Sequence, residues 1–359
     1  MTTPEAKARE EIDRLLEAAG WILQDRDAFN RNAGTGVAVR EFSLPSGPCD
    51  YLLFIDGKAA GVIEAKPEGH TLSGVADQSE KYMSKLPEHL ARWGDELLLD
   101  YESTGSETIF RDMRDPNPRS RRLFAFHKPE TLRESLLAGD TLRSRLASLP
   151  PLDKTGLRDC QVEAVEGLEV SLAKADPRAL IQMATGAGKT FTACTFSYRL
   201  LKFARAKRIL FLLDRNNLGE QTLREYQDYR PPDDGRHFND LYVTQQLKSP
   251  HLDKDAVVVI STIQRVYAML RGEELDDGME EESAFEQGGV REIPPVEYNP
   301  DIPVETFDII VTDECHRSIY GQWRQVLEYF DAFVIGLTAT PSKHTLGFFA
   351  QNLVSEYPY

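Results

Sequence analysis

Residues 183–190 read Met-Ala-Thr-Gly-Ala-Gly-Lys-Thr, and they stand between a strand-like apolar run at 179–183 and a helical pattern at 191–204. A glycine-rich loop in this context lets backbone N–H groups close around a phosphate at the positive end of the helix. The lysine of such a loop reaches the β and γ phosphates, and the hydroxyl residue after it binds Mg²⁺. The pattern therefore predicts a nucleotide-binding loop. Its predicted contacts are Thr185, Gly186, Ala187, Gly188, Lys189 and Thr190, and Thr190 is also the predicted metal ligand.

Strand-like and helical segments alternate on both sides of this loop. The strand-like runs lie at 179–183, 208–214, 240–244, 256–261, 307–312 and 333–338. Such alternation is typical of a parallel α/β sheet.

An acidic pair, Asp313 and Glu314, follows the predicted strand at 307–312, and His316 comes two residues later. Parallel α/β sheets bind their ligands at the carboxyl ends of the strands, so these side chains should lie beside the glycine-rich loop. We expect Asp313 to act on Mg²⁺ through water and Glu314 to polarise an attacking water. We expect His316 to couple the site to neighbouring segments.

The composition is that of an ordinary globular protein. Its 359 residues, of which 41% are hydrophobic, suffice for two domains with separate cores. The sequence has neither an apolar run of about 18 residues nor the N-terminal pattern of a signal peptide. We therefore expect a cytoplasmic protein with no membrane partner. The four cysteines are scattered, which disfavours a zinc site and a disulfide framework.

The net charge of −16 argues against a chain that binds DNA over its whole surface. Five arginines between residues 111 and 122, together with Lys128, form a local basic cluster. This cluster is compatible with a DNA path and equally with a solvated connector.

The N-terminal part has a different pattern from the alternating one. A helical pattern at 5–19 precedes strand-like runs at 37–43, 50–56, 59–66, 96–102 and 107–111. These predict a mixed sheet with flanking helices. Leu149-Pro150-Pro151 marks a seam between domains. We predict an N-terminal domain at 1–135, a linker at 136–156, and a second domain at 157–359 with an acidic insertion at about 272–306.

Asp50, Glu64 and Lys66 are predicted to meet on one hairpin. A turn at Asp56-Gly57-Lys58 sets Asp50 opposite Glu64, and Lys66 lies two residues further along the same strand. Side chains two apart on a strand project to the same side, so all three share a face.

Two carboxylates about 5 Å apart repel each other by roughly 3 kcal/mol at an effective dielectric constant near 20. A divalent cation such as Mg²⁺ converts this repulsion into binding, because Mg²⁺ prefers oxygen ligands and keeps waters for a substrate phosphate. Lys66 would then orient a water or offset phosphate charge. The alternative is a surface hairpin in which Lys66 screens two acids.

These residues resemble the PD-(D/E)xK nucleases, with Pro48-Cys49-Asp50 as the first part and Glu64-Ala65-Lys66 as the second. Gln78 and Tyr82 lie four apart and resemble an element of the RecB-like branch of those nucleases. The resemblance implies metal-dependent DNA cleavage in which Gln78 and Tyr82 take part. That branch also takes a metal ligand from its opening helix; Glu5 is our choice, with Glu10 as the alternative.

The second domain resembles the helicases of superfamily 2. Met183 replaces the first glycine of the usual loop pattern, as in many of those helicases. Residues 157–161, Leu-Arg-Asp-Cys-Gln, resemble the motif whose glutamine reads adenine, which implies that Gln161 contacts ATP. Residues 214–218 and 261–264 resemble strand-end motifs that touch the DNA backbone, and 338–340 resemble the motif that links hydrolysis to movement.

The order of these motifs resembles the N-terminal part of the restriction (R) subunit of type I restriction-modification enzymes. The resemblance implies a nuclease domain followed by one RecA-like motor lobe, ATP-driven translocation, and Mg²⁺-dependent cleavage of double-stranded DNA. It also implies methyltransferase and specificity subunits as partners. Motors of this class need a second lobe with an arginine finger. Since the sequence ends at Tyr359, we expect this chain alone to bind ATP but to hydrolyse it poorly.

Three alternatives remain. The chain is a repair or remodelling translocase with an inert nuclease-like domain, or part of a single-chain restriction enzyme that carries methylation and recognition further along. The third is a non-catalytic assembly module that docks other subunits.

Overall fold

The computed structural model describes residues 4–45, 47–72, 86–214, 218–275, 294–315 and 323–358. The chain is of the α/β class and divides into two compact units. One comprises residues 1–141 with 300–305, and the other comprises 142–299 with 306–359. Within the described ranges, no helix has the length and apolar character that a membrane span requires.

The N-terminal unit is built on a seven-stranded mixed sheet, in which the strands lie side by side in chain order. The pairs β1–β2 and β4–β5 are parallel and the other pairs are antiparallel. Its elements are α1 (Pro4–Ala18), β1 (Ile22–Asp25), a short 3₁₀ helix (Arg26–Ala28), β2 (Gly36–Leu44), β3 (Gly47–Ile55), β4 (Lys58–Ala65), β5 (Leu99–Ser103), β6 (Thr108–Asp112), β7 (Arg121–Leu123) and α2 (Pro129–Ala138).

Helix α1 packs through an apolar stripe. Ala8, Ile12 and Leu16 recur every four residues and are buried. The helix ends at Ala18, and Gly20, with a positive φ of 91°, reverses the chain so that the Trp21 N–H donates to the Leu16 carbonyl at 3.0 Å. The predicted opening helix is confirmed.

The five strands predicted in this unit are present, with bounds shifted by up to a few residues. The sequence analysis missed β1 and β7. Strand β1 is four residues long with exposed ends, and β7 carries two arginines, so neither shows an alternating apolar pattern.

The second unit is built on a seven-stranded sheet in the order β10-β11-β9-β12-β13-β8-β14, and every neighbouring pair is parallel. Its strands are β8 (Arg178–Met183), β9 (Ile209–Leu213), β10 (Val243–Gln246), β11 (Ala256–Thr262), β12 (Ile309–Asp313), β13 (Phe333–Thr338) and β14 (Leu353–Tyr357). Its helices are α3 (Leu142–Leu146), α4 (Asp159–Ala173), α5 (Lys189–Lys202), α6 (Gly219–Asp228), α7 (Phe238–Leu241), α8 (Ile263–Arg271), α9 (Arg324–Tyr329) and α10 (Lys343–Phe348).

The prediction of a parallel α/β sheet is confirmed, with one wrong element. The strand predicted at 240–244 begins only at Val243, because α7 occupies Phe238–Leu241. Strands β9 and β13 are buried at every position, as expected of central strands that helices cover on both faces. Strand β14 was not predicted.

Two helical glycines of this unit give a matched test of the packing. A Cβ on Gly167 of α4 would lie 2.2 Å from the backbone carbonyl oxygen of Val354, whereas a Cβ on Gly347 of α10 meets nothing within 4 Å. Helix propensity alone favours alanine at both sites by about 1 kcal/mol. We expect Gly167→Ala to lower the free energy of unfolding by about 2 kcal/mol, because backbone cannot move aside as a side chain can. Gly347→Ala should leave it unchanged or raise it, as urea denaturation would measure.

Candidate functional site

The hairpin of β3 and β4 brings Asp50 and Glu64 together. Ile55 pairs with Lys58, so the turn is the two residues Asp56 and Gly57, with positive φ values of 48° and 69°. A bulge opposite Leu53 and Phe54 then adds one residue, Ala60, to β4. Beyond it Tyr51 pairs with Ile63, which places Asp50 across from Glu64. The turn is thus one residue shorter than predicted, and the bulge compensates.

Lys66 contacts Glu64 directly, and Asp50 contacts the backbone of the residue between them. The Lys66 Nζ donates to Glu64 Oε1 at 3.0 Å, and Asp50 Oδ2 accepts from the Ala65 N–H at 2.8 Å. The three side chains are only 13–15% exposed. Burial raises the pKa of Glu64, and the hydrogen bond from Lys66 opposes that rise. The structure therefore places the three predicted residues in one half-buried cluster.

Arg9 of α1 joins this cluster, a contact that the sequence analysis did not foresee. Its guanidinium forms an ion pair with Asp50 Oδ1, and it reaches Glu41 at 2.9 Å and Glu5 at 3.1 Å. Glu5 is thereby connected to Asp50 through Arg9, and its side chain is about half exposed. Glu10, the alternative helical acid, is exposed.

A further acid, Glu102 of β5, lies beside Glu64. The parallel pairing of β4 and β5 sets Glu64 opposite Glu102 and Val62 opposite Asp100. Glu102 is 4% exposed, and burial followed by the charge of Asp100 raises its pKa to about 7. The sequence analysis missed Glu102. The signal was present in Asp100-Tyr101-Glu102, where two acids alternate in an otherwise apolar strand.

The donor set of this face fits a hard divalent cation. Asp50 and Glu64 offer carboxylate oxygens from neighbouring strands, the ligand type that Mg²⁺ prefers. Among the described residues, no group of three or more His, Cys, Asp or Glu side chains is arranged to hold a metal ion. Mg²⁺ commonly binds through one or two carboxylates and completes its shell with water and substrate phosphates, so two acids suffice.

The basic cluster is largely neutralised inside the N-terminal unit. Arg111 pairs with Asp100 at 2.5 Å, Arg114 with Asp112 at 2.6 Å, and Arg122 with Glu107 at 2.5 Å. Arg121 lies 3.8 Å from Asp115 and stacks on the Phe110 ring. These arginines serve internal ion pairs, which weakens their interpretation as a DNA path.

In the second unit, the glycine-rich loop joins β8 to α5. Gly186 and Gly188 have positive φ values of 81° and 90°, which side chains rarely adopt. Lys189 opens α5, and its Nζ forms an ion pair with Glu314 Oε1 at 2.5 Å. The predicted loop lysine and the predicted acid are therefore in direct contact.

Strand β12 delivers the acidic pair to the same edge of the sheet. Asp313 is its last residue, and Asp313 Oδ1 accepts from the Glu314 N–H at 3.0 Å. Burial raises the pKa of Asp313 to about 6, and the charge of Lys189 opposes that rise. Glu314 adopts a positive φ of 49°, a strained conformation of the kind that concentrates at functional sites.

Gln161 of α4 touches the glycine-rich loop. Its Nε2 donates to the Ala187 carbonyl at 3.3 Å, and its Oε1 accepts from the Arg158 N–H at 2.9 Å. Gln161 is 4% exposed, so it is held at the loop by contacts on both ends of its amide.

Gln78, Tyr82 and His316 lie outside the described residues, as do residues 215–217 and most of the acidic insertion. Residues 261–264 and 338–340 are described, and most of their side chains are buried. Thr262 caps α8 by accepting from the Arg265 N–H, and Gln264 is 3% exposed. Thr338 is fully buried. These side chains serve the fold in this structure.

Known proteins of similar sequence match both units of the chain. A sequence profile of the family described as "Type III restriction enzyme, res subunit" matches residues 154–343. The EcoKI endonuclease subunit of a type I restriction enzyme from Escherichia coli K12 is 28% identical over 99% of this chain and 34% of its own length. The EcoAI endonuclease subunit from Escherichia coli is 34% identical over 51% of this chain and 19% of its own length.

Among solved structures, a fragment of an HsdR subunit of a type I restriction enzyme from Vibrio vulnificus YJ016 aligns with 100% of this chain and 59% of that chain, at 22% identity and a TM-score of 0.38. The chain spans about a third of the length of the EcoKI subunit. The chain belongs to the restriction-enzyme family of the type III res subunit, and its curated relatives are the endonuclease subunits of type I restriction enzymes.

Proposed function

We propose that this chain is the nuclease and first motor lobe of an ATP-dependent restriction endonuclease. The N-terminal unit, residues 1–141 with 300–305, is a PD-(D/E)xK nuclease domain that cleaves double-stranded DNA with Mg²⁺. The second unit is a RecA-like lobe that couples ATP binding to DNA translocation. The observation that carries the proposal is the buried Asp50–Glu64–Lys66 cluster, placed in a chain that also joins Lys189 to Glu314.

In the nuclease unit, Asp50 and Glu64 would hold the cation and Glu5 would complete its shell from α1. Bound Mg²⁺ supplies charge to the scissile phosphate and lowers the pKa of a water. Lys66 is fixed by its bond to Glu64, so its ammonium is positioned to orient that water or to offset phosphate charge. Gln78 and Tyr82 would take part in cleavage.

In the motor unit, the backbone of residues 185–188 would bind phosphates at the start of α5, the most favourable place for an anion. Lys189 would leave Glu314 for the β and γ phosphates, since a phosphate offers more negative charge. Thr190 and Asp313 would hold the nucleotide's Mg²⁺, and the released Glu314 would polarise the attacking water. Gln161 would contact adenine and His316 would couple this site to neighbouring segments.

The proposed partners are double-stranded DNA and the methyltransferase and specificity subunits of a restriction-modification complex. In that complex the other subunits choose the DNA site, and this chain supplies movement and cleavage. The net charge of −16 fits a chain that relies on partners for much of its DNA affinity.

A plasmid-cleavage assay tests the proposal. Supercoiled DNA is incubated with the chain and the candidate partner subunits, with and without ATP and Mg²⁺. We expect cutting that requires Mg²⁺ and increases with ATP. Intact plasmid under all conditions, together with no nucleotide binding, would instead identify a non-catalytic assembly module.

A further inference from the structure

Glu102 has an environment that folding alone does not explain. It sits on β5 directly across from Glu64, and it is 4% exposed. Its Oε2 meets no hydrogen-bond donor among the residues that the structure describes. Leaving a buried acceptor without a donor costs about 1–3 kcal/mol, and more when it is charged.

The neighbouring acids of this sheet face have hydrogen-bond donors or ion-pair partners that Glu102 lacks within the described residues. Glu64 accepts from Lys66 at 3.0 Å, and Asp100 forms an ion pair with Arg111 at 2.5 Å. Asp50 accepts from a backbone N–H and pairs with Arg9. Across the described part of the chain, Glu102 forms no ion pair. Asp100 and Glu64 repel a charge on Glu102, and Arg111 and Lys66 attract it.

A hydrated cation would supply the missing donor. Mg²⁺ gives up its waters reluctantly and usually retains several when two carboxylates bind it. Waters on a divalent ion are strong hydrogen-bond donors, and buried acceptors around a metal commonly fix them. Glu102, whose Oε2 has no donor among the described residues, is adjacent in register to Glu64, one of the proposed ligands.

We propose that Glu102 is a positioning residue of the cation site, which accepts a hydrogen bond from a water bound to the ion held by Asp50 and Glu64. This inference rests on the proposed function, since it requires that cation. It assigns Glu102 to the hydration shell and leaves direct ligation to Asp50 and Glu64, with Glu5 completing the shell from α1.

Calorimetric titration of the full chain with Mn²⁺, in the absence of DNA and nucleotide, tests the assignment. The proteins are wild type, Glu102→Gln, Glu102→Asp and Asp50→Asn. We expect Glu102→Gln to weaken Mn²⁺ binding about tenfold, the low end for residues that hold a metal through its waters. Glu102→Asp keeps the acceptor and should recover part of the affinity. Asp50→Asn should abolish measurable binding.

Thermal unfolding supplies a readout that a purely structural glutamate would not give. Without Mn²⁺, Glu102→Gln should unfold at or above the wild-type temperature. Glutamine has nearly the same shape as glutamate, and the substitution removes an uncompensated buried charge. Added Mn²⁺ should raise the melting temperature of wild type by more than that of Glu102→Gln. A glutamate that merely holds the sheet together would instead lower the melting temperature when replaced.

The outcomes separate the two proposals. If wild type binds Mn²⁺, Asp50→Asn does not, and Glu102→Gln binds as tightly as wild type, the role of Glu102 is refuted and the cation site stands. If wild type itself binds no Mn²⁺, the proposed nuclease site is refuted, and the role of Glu102 with it.

Discussion

Asp50→Asn should abolish Mg²⁺-dependent plasmid cutting, with a loss of about 100-fold or more. Asp50 is one of the proposed carboxylate ligands, so the substitution removes part of the negative charge that the protein offers to the cation. An amide in place of the carboxylate also loses the ion pair with Arg9. If its Nδ2 replaces Oδ2, it faces the Ala65 N–H with a donor instead of an acceptor. Cutting is followed on supercoiled DNA with partner subunits, ATP and Mg²⁺.

Asp56→Asn is the matched control for this change. Asp56 lies in the turn of the same hairpin, where its φ of 48° suits asparagine well. It forms only an exposed ion pair with Arg133, and such pairs contribute about 1 kcal/mol or less. We expect Asp56→Asn to cut at close to the wild-type rate.

Both variants should retain ATP binding, because the nucleotide loop lies in the other unit. If Asp50→Asn cuts as fast as wild type, the nuclease-like unit is inert and any cleavage arises elsewhere. That result would favour the repair or remodelling translocase among the alternatives.

The hairpin shows why part of this site could be derived from sequence. Its geometry depends on a two-residue turn and on the alternation of side chains along a strand. Both features can be recognised from consecutive residues in the sequence. The bulge at Ala60 was not foreseen, and the predicted turn was one residue too long. The shorter turn and the bulge cancel each other in the strand register. Asp50 therefore lies opposite Glu64 as predicted, although the prediction included neither feature.

Contacts between distant segments were the part that sequence could not supply. Arg9 reaches Asp50 across 41 positions in the chain, and Glu102 meets Glu64 only because β5 pairs in parallel with β4. A parallel pair needs a long crossover connection, so no turn fixes its register in the sequence. The nucleotide loop, by contrast, could be predicted from sequence, since its proposed phosphate-binding groups are consecutive residues. Its lysine contacts Glu314, the acid that was predicted to lie beside the loop.

Lys189→Ala should lower the affinity for ATP roughly 100-fold, the second large effect that we expect. The Lys189 ammonium is 14% exposed at the start of α5, and its proposed bonds to the β and γ phosphates are charge-assisted, each contributing about 1.5–3 kcal/mol. Alanine leaves the helix intact, because it has the highest helix propensity. Equilibrium titration with a fluorescent ATP analogue and Mg²⁺ measures the loss. In the plasmid assay, cutting by this variant should no longer respond to ATP.

Lys202→Ala tests whether this loss is specific to the loop. Lys202 is the last residue of the same helix and forms a surface ion pair with Asp233 at 2.9 Å, both side chains about a third exposed. Lys202→Ala, like Lys189→Ala, removes one positive charge from α5. It does so at the C-terminal end of the helix, where a phosphate is not expected to bind. We expect the nucleotide affinity of Lys202→Ala to stay within twofold of wild type. A surface ion pair contributes about 1 kcal/mol or less to stability, and this pair does not involve the nucleotide loop. Equal ATP affinity in wild type, Lys189→Ala and Lys202→Ala would mean that nucleotide, if it binds, does so away from residues 185–190, and the motor assignment would then fail.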